Sequence, residues 1–217
     1  MTPSDSTAGR RSRGRSPSSR PLETAFGLFL CSLFLLTGTV TAQDVRVPEK
    51  DSLALVAFYH SMNGDNWRNK GGWLTDRVDT WYGVTTENVG TTEAPEYRVV
   101  QIELNDNMTQ PGTIPPEIGD LEYLTDLVLR GDPALFGEWP MEIENLVNIF
   151  EIRTQDTNMS GEIPWTSLAK TSIERIRFQE AKHRGEIPDD VFNDMTQLQR
   201  MEISNASLLD EATAAAE

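Results

Sequence analysis

Residues able to do chemistry are sparse in this 217-residue chain. Its two histidines, His60 and His183, cannot build a three-histidine metal site, and they lie far too distant in sequence for a His-Glu-x-x-His helix. His60 falls in an apolar run that reads as a helix, where a packed or rim histidine is the plain expectation. His183 precedes Gly185 in a turn and is expected at the surface. Cys31 is the only cysteine, which excludes an intrachain disulfide and multi-cysteine zinc sites. No Gly-rich phosphate loop or Gly-x-Ser-x-Gly elbow occurs. Asn105-Asp106-Asn107 has the look of a calcium loop, but no distal glutamate follows at loop spacing. Acidic residues number 34 against 19 basic, a net charge of -15, so paired carboxylates are undiagnostic. That charge also speaks against a nucleic-acid partner, which calls for a basic footprint. The expectation is a non-enzyme with no catalytic residue, no metal and no cofactor.

What remains is binding chemistry. Arg153 and Arg177 lie 24 residues apart, Arg175 and Arg200 form a second such pair 25 apart, and Arg130 lies nearby. Arginine forks match carboxylate, sulfate and phosphate groups. The interval matters because it is the beat of the whole chain. Four Gly-x-[Ile/Trp]-Pro units end at Pro115, Pro140, Pro164 and Pro188, spaced 25, 24 and 24 residues. Apolar triplets keep the same beat: Val99/Ile102/Leu104, Leu124/Leu127/Leu129, Ile149/Ile152/Thr154, Ile173/Ile176/Phe178 and Leu198/Met201/Ile203.

The second and third members of each triplet alternate with polar residues, which is strand periodicity. One short strand per unit gives a parallel sheet along one side of a solenoid. Apolar pairs after the prolines, such as Ile118 and Leu121 or Ile143 and Leu146, suit helical turns on the opposite side. No unit buries its apolar edge alone, so stacking makes the core. The fold class is therefore α/β: a solenoid with short parallel strands on one face, helical turns on the other, and a helical N-terminal cap.

For that cap, Pro48 suits a first turn, and Leu53, Val56, Ala57 and His60 share a helical face that Leu55, Phe58, Tyr59 and Met62 widen. Gly64 reads as the terminator. The helix is expected to cover the exposed first edge of the sheet.

These units resemble plant-type leucine-rich repeats, L-x-x-L-x-L-x-x-N-x-L-x-G-x-I-P, over about residues 97–209. Residues 48–86, with Asn63-Gly64-Asp65-Asn66-Trp67, Gly72-Trp73-Leu74 and Thr80-Trp81-Tyr82-Gly83-Val84-Thr85-Thr86, resemble the cap that precedes such repeats. The resemblance places Thr80 and Thr86 where the family has a cysteine pair. A missing disulfide in a small secreted unit typically costs about 2–5 kcal/mol. Packing of Trp67, Trp73 and Trp81 would offset part of it. The family's ninth-position asparagine, which ties neighbouring coils, reads Asn107, Asp132, Thr157, Ala181 and Ala206, so the polar ladder fades toward the C-terminus. The resemblance implies a concave strand face that takes a protein, peptide or glycan ligand. Its candidate residues are Glu103, Asp126, Arg130, Glu151, Arg153, Arg175, Arg177 and Arg200. Phe150, beside a strand, is expected to join the core.

Residues 1–42 read as a secretory signal peptide: Arg10-Arg11-Ser12-Arg13-Gly14-Arg15, then the apolar run Ala25 to Leu36, then the small exit Val40-Thr41-Ala42. An uncleaved membrane anchor is the alternative. Residues 43–96 form the cap, 97–209 about five repeats, and 210–217 an acidic tail in which no closing cap is visible. The sequons at Asn107, Asn158 and Asn205 offer glycan sites on a eukaryotic secretory path, Asn107 poorly because its side chain should point inward. The expected protein is a secreted or cell-surface recognition module. The alternatives are the ectodomain of a membrane receptor, such as a receptor-like kinase, and an inhibitor of a secreted hydrolase.

Overall fold

The computed structural model describes residues 46–188 and 190–204. The expected signal segment with Cys31, the sequon at Asn205, Ala206 and the acidic tail lie outside the described residues.

Helix α1 (Glu49–Ser61) begins behind Pro48, with Glu49 and Asp51 in the first turn, where carboxylates suit the positive end of the helix. Strands β1 (Val84–Asn88) and β2 (Tyr97–Asn105) follow, then β3 (Asp126–Arg130), β4 (Phe136–Gly137), β5 (Glu151–Gln155) and β6 (Asn158–Glu162). A short helix α2 (Trp165–Leu168) precedes β7 (Arg175–Gln179) and β8 (Lys182–Arg184), and α3 (Val191–Asp194) precedes β9 (Arg200–Ser204). Turns of 3-10 helix at Pro116–Asp120 and Met141–Asn145 stand where α2 and α3 stand in later coils.

The main sheet runs β1-β2-β3-β5-β7-β9. From β2 onward all pairs are parallel and in register with the 24- or 25-residue beat, Ile102 against Leu127, Ile152, Ile176 and Met201. The triplet residues point inward. Val99, Ile102, Leu104, Leu124, Leu127, Leu129, Ile149, Ile152 and Ile176 are wholly buried, while Leu198, Met201 and Ile203 of the last described coil are only partly so. Each such side chain contributes about 1.5–3 kcal/mol by leaving water.

A second sheet, not foreseen from the sequence, joins β4, β6 and β8 in parallel. Its partners are 22 residues apart, Phe136 with Asn158 and Ser160 with Lys182, so it is staggered by about two residues against the main sheet. The extended residues ahead of each Gly-x-[Ile/Trp]-Pro run supply its backbone donors and acceptors.

The N-terminal segment corrects three expectations. The buried face of α1 is Asp51, Ala54, Leu55, Phe58 and Tyr59, continued by Met62; Leu53 and His60 are exposed and Val56 and Ala57 half-buried. The apolar stripe read from the sequence was rotated because a polar residue, Asp51, faces inward. Its carboxylate accepts from Arg98 Nε (3.1 Å) and Nη2 (3.0 Å) and from the Val99 amide (3.1 Å), locking α1 to β2. The Arg98 guanidinium also lies 4.2 Å from the centre of the Tyr123 ring.

The first edge of the repeat sheet is covered by β1, antiparallel to β2, and not by the helix, which packs on the 3-10 turn Pro116–Asp120. Gly64 does not end α1. Asn63 takes the left-handed turn (φ 52°), and Gly64 is needed because a Cβ there would stand 2.2 Å from the Tyr59 ring.

Tyr59, Trp67, Trp73 and Trp81 form one chain of rings with centroids 4.7–5.5 Å apart. Every polar atom of this cluster is used. The indoles of Trp67, Trp73 and Trp81 donate to the Met62, Tyr82 and Asp76 carbonyls (2.8, 2.9 and 2.9 Å), and Tyr59 donates to Asp65. Burial, with Asp65 adding to it, pushes the Tyr59 hydroxyl up to about 12.

Candidate functional site

Alternation along each strand puts one residue set into the core and the other on the outer face of the main sheet. The register then arranges that face in three columns. The first is Gln101, Asp126, Glu151, Arg175 and Arg200; the second is Glu103, Val128, Arg153, Arg177 and Glu202; the third is Asn105, Arg130, Gln155, Gln179 and Ser204. All eight residues singled out in the sequence therefore lie on one surface. Strand β1 adds Thr85 opposite Gln101, which the repeat pattern could not reveal because β1 runs antiparallel and stands outside the beat.

The charges are not evenly compensated. Arg130 reaches Asn105 (Nε to Oδ1, 2.8 Å) and Glu103 (3.4 Å). Arg175 lies 3.9 Å from Glu151, and its guanidinium covers the Phe150 ring at 4.6 Å. Phe150 is thus a half-buried platform under an arginine rather than a core residue, because its aromatic face meets a cation. Arg177 Nε stands between Glu151 (3.5 Å) and Glu202 (3.6 Å). Arg200 pairs with Glu202. Asp126 accepts from the Thr125 hydroxyl at 2.7 Å.

Arg153 differs. Glu151, two residues before it on the same face, leans toward β7 and serves Arg175 and Arg177. Val128, the neighbour of Arg153 on β3, is buried and apolar, and its neighbour on β7 is Arg177. Arg153 is left with a long contact from Nη2 to Gln155 Oε1 (3.5 Å), and its buried Nε meets no acceptor.

The residues suggestive of calcium are engaged elsewhere. Asn105 accepts from Arg130, and Asn107 exchanges both amide hydrogen bonds with the Asn69 backbone (2.8 and 3.0 Å). Asn107 is buried, which accounts for its inward-pointing sequon. Asp132 accepts from the Met108 amide at 2.7 Å across one coil, while its second oxygen has no partner, and burial raises its carboxyl above the ordinary value. Thr157 makes no side-chain hydrogen bond, so the polar ladder does fade.

His183 corrects the surface expectation. It lies on β8, 2% exposed, with its ring 5.2 Å from Phe178, because it takes the inward place that Met159 holds one coil earlier. Burial holds its imidazole below the ordinary value.

No family model matches the chain, and no curated protein matches it significantly. Solved structures do. The ectodomain of the receptor kinase SOBIR1 from Arabidopsis thaliana superposes with a TM-score of 0.59 at 21% identity, over 74% of this chain and 82% of that one. The BIR2 ectodomain from Arabidopsis thaliana gives 0.57 at 24% identity, over 74% and 81%. A plant ice-binding protein gives 0.53 at 25% identity, over 70% of this chain and 54% of that chain. The fold is that of plant-type leucine-rich-repeat proteins, as the repeat resemblance implied. Among the described residues, no helix is long and apolar enough to cross a membrane.

Proposed function

We propose that this chain is an extracellular recognition module without catalysis of its own. In this reading it is a capped leucine-rich-repeat solenoid whose concave strand face binds an anionic group on a protein, peptide or glycan. The observation that carries the reading is Arg153. Its neighbours Arg130, Arg175, Arg177 and Arg200 each meet a carboxylate, and among the described residues it meets none. Arginine beside arginine in adjacent strands costs stability, and nothing in the inward packing demands either residue. A carboxylate, sulfate or phosphate placed over Arg153 would accept from the unsatisfied guanidinium edge and relieve its repulsion with Arg177.

The likeness to SOBIR1 and BIR2 supports secretion or display at the cell surface, and the reading of this chain as part of a receptor ectodomain. The ice-binding protein shares the fold as well, so the fold does not choose the ligand; the charge pattern of this face does.

The test is Arg153→Glu with Arg177→Glu, screened against anionic peptides and glycans at low and physiological salt. Wild type should bind more weakly at the higher salt. The double variant should lose at least about tenfold in affinity, roughly 1.4 kcal/mol, while staying folded; Arg153→Glu alone, which breaks no ion pair among the described residues, should lose affinity with an unchanged melting temperature. Binding unaffected by the reversal removes this face from consideration.

A further inference from the structure

His183 is the buried titratable group that ligand binding leaves unexplained. The equivalent inward place one coil earlier is Met159, fully buried. A histidine there brings two polar nitrogens into an apolar setting. Neither nitrogen makes a hydrogen bond of normal geometry among the described residues; the Gly161 and Ser160 backbone on β6 lies close enough to favour a charged ring, but less than burial disfavours it. Its other neighbour is Phe178 on β7, which stacks in turn on Trp139 at 5.4 Å.

Among the described residues, no charge faces the ring to hold an imidazolium. The ionisable residues of the packed elements are Glu162 on β6, Arg175 and Arg177 on β7, and Lys182 and Arg184 on β8 itself, with Asp156 and Glu180 in the turns and Glu138 beside Trp139. All are exposed or half-exposed, on faces other than the one His183 occupies. Among the described residues, these groups meet one another at this edge in a single ion pair, Arg184 with Glu138, 3.9 Å apart and both largely exposed.

We propose that His183 is an acid-sensitive latch: neutral and packed against Phe178 it closes the coil of β7 and β8, and its protonation releases that coil. Burial disfavours the charged form more than the nearby backbone favours it, so a charged imidazole is better accommodated by exposing it. Release would disturb Phe178, which lies between Arg177 and Gln179 on β7. The latch therefore acts on the strand that carries Arg177 in the recognition face proposed above, although the latch itself does not require that face to bind anything.

The folded coil keeps His183 neutral while the opened coil binds a proton at the ordinary imidazole value, about 6.5. Stability is full above that value and falls as pH drops below it. The opening equilibrium rises about tenfold per pH unit until His183 protonates in the closed state as well.

The measurement is amide hydrogen exchange of the intact chain between pH 7.5 and 5, corrected for intrinsic rates. Amides of residues 175–204 should lose protection about tenfold per pH unit below 6.5, while those of 99–130 do not. His183→Met, the residue found one coil earlier, should abolish this acid step, and His183→Leu should do the same. His60→Gln, at the exposed histidine of α1, should retain it. An acid step that survives both His183 substitutions overturns the proposal, as does its absence in wild type. No ligand is needed, so this result and the Arg153 result stand or fall separately.

Discussion

In the N-terminal segment, four linked aromatic rings are buried and each hydroxyl or indole N–H among them meets an acceptor. In the coils from residue 133 onward, the Trp139 indole, the Thr154 and Thr157 hydroxyls and both nitrogens of His183 are buried without a hydrogen bond. The two regions bury comparable side chains and differ in how their polar atoms are served. A net hydrogen bond is worth about 0.5–1.5 kcal/mol, whereas an orphaned buried group costs about 1–3 kcal/mol. The difference identifies the N-terminal segment as the firm end of the stack. The later coils are the softer end, and they carry Arg153, Arg177 and His183.

The comparison breaks most directly at Trp81, which is 6% exposed, ring-stacked on Trp73 at 4.7 Å and hydrogen-bonded to the Asp76 carbonyl. Trp81→Ala should cost about 3–5 kcal/mol. Denaturant titration followed by the remaining tryptophans checks it. A loss below about 1 kcal/mol would show that the aromatic chain is not what compensates for the threonines at positions 80 and 86.

Asp132 lies where the two regions meet and sharpens the contrast. One oxygen bonds the Met108 amide, and the other is buried and unserved. Its carboxyl is held above the ordinary value by burial, so the folded state favours the protonated form. Stability from this group is full below the unfolded carboxylate value, near 4, and is lost as pH rises through the raised folded value. Asp132→Asn restores the repeat's usual residue without a charge. It should gain about 1–2 kcal/mol at neutral pH and little in acid, measured as denaturation midpoints across that range.

The periodic part of the fold was legible because two features, the apolar triplet and the Gly-x-[Ile/Trp]-Pro unit, constrain each other. Any slip of register would have turned Ile102, Leu127, Ile152 and Ile176 outward. The columns of the outer face followed from the same constraint. Three things escaped. Strand β1 lies outside the repeat, although Val84-Thr85-Thr86 after Gly83 is a β-branched run that hints at it. The stripe of α1 was misplaced because its inward face includes a carboxylate whose partner, Arg98, lies 47 residues on. His183 was read from the turn-forming Gly185 beside it, when its alignment with Met159 already pointed inward. Which arginine would lack an acid could not be read at all, since it depends on the direction in which Glu151 leans.

The smallest expected effect concerns the corners where strands leave the main sheet. Asp106, Gly131, Asp156 and Glu180 hold corresponding places, with φ of 49°, 69°, 53° and 50°. Each donates its amide to the strand of the next coil, as Glu180 does to the Ser204 carbonyl at 2.8 Å. Left-handed backbone is natural for glycine and tolerated by aspartate, whose short side chain can bond locally, but it disfavours a longer residue by roughly 1–2 kcal/mol. The last described corner, in the softer region, therefore carries the least suitable residue. Glu180→Gly removes that strain but adds freedom to the unfolded chain worth about 0.5–1 kcal/mol. The net gain should be about 0.5–1 kcal/mol, with Glu180→Asp gaining less. The reverse change in the firmer half, Gly131→Ala, should lose stability, because its Cβ would stand 2.5 Å from the Asp106 carboxylate as well as in a strained conformation. Denaturation midpoints of the three variants decide it. A Glu180→Gly chain no more stable than wild type would place the weakness of the later coils in their unserved polar atoms alone and clear the corners of any part in it.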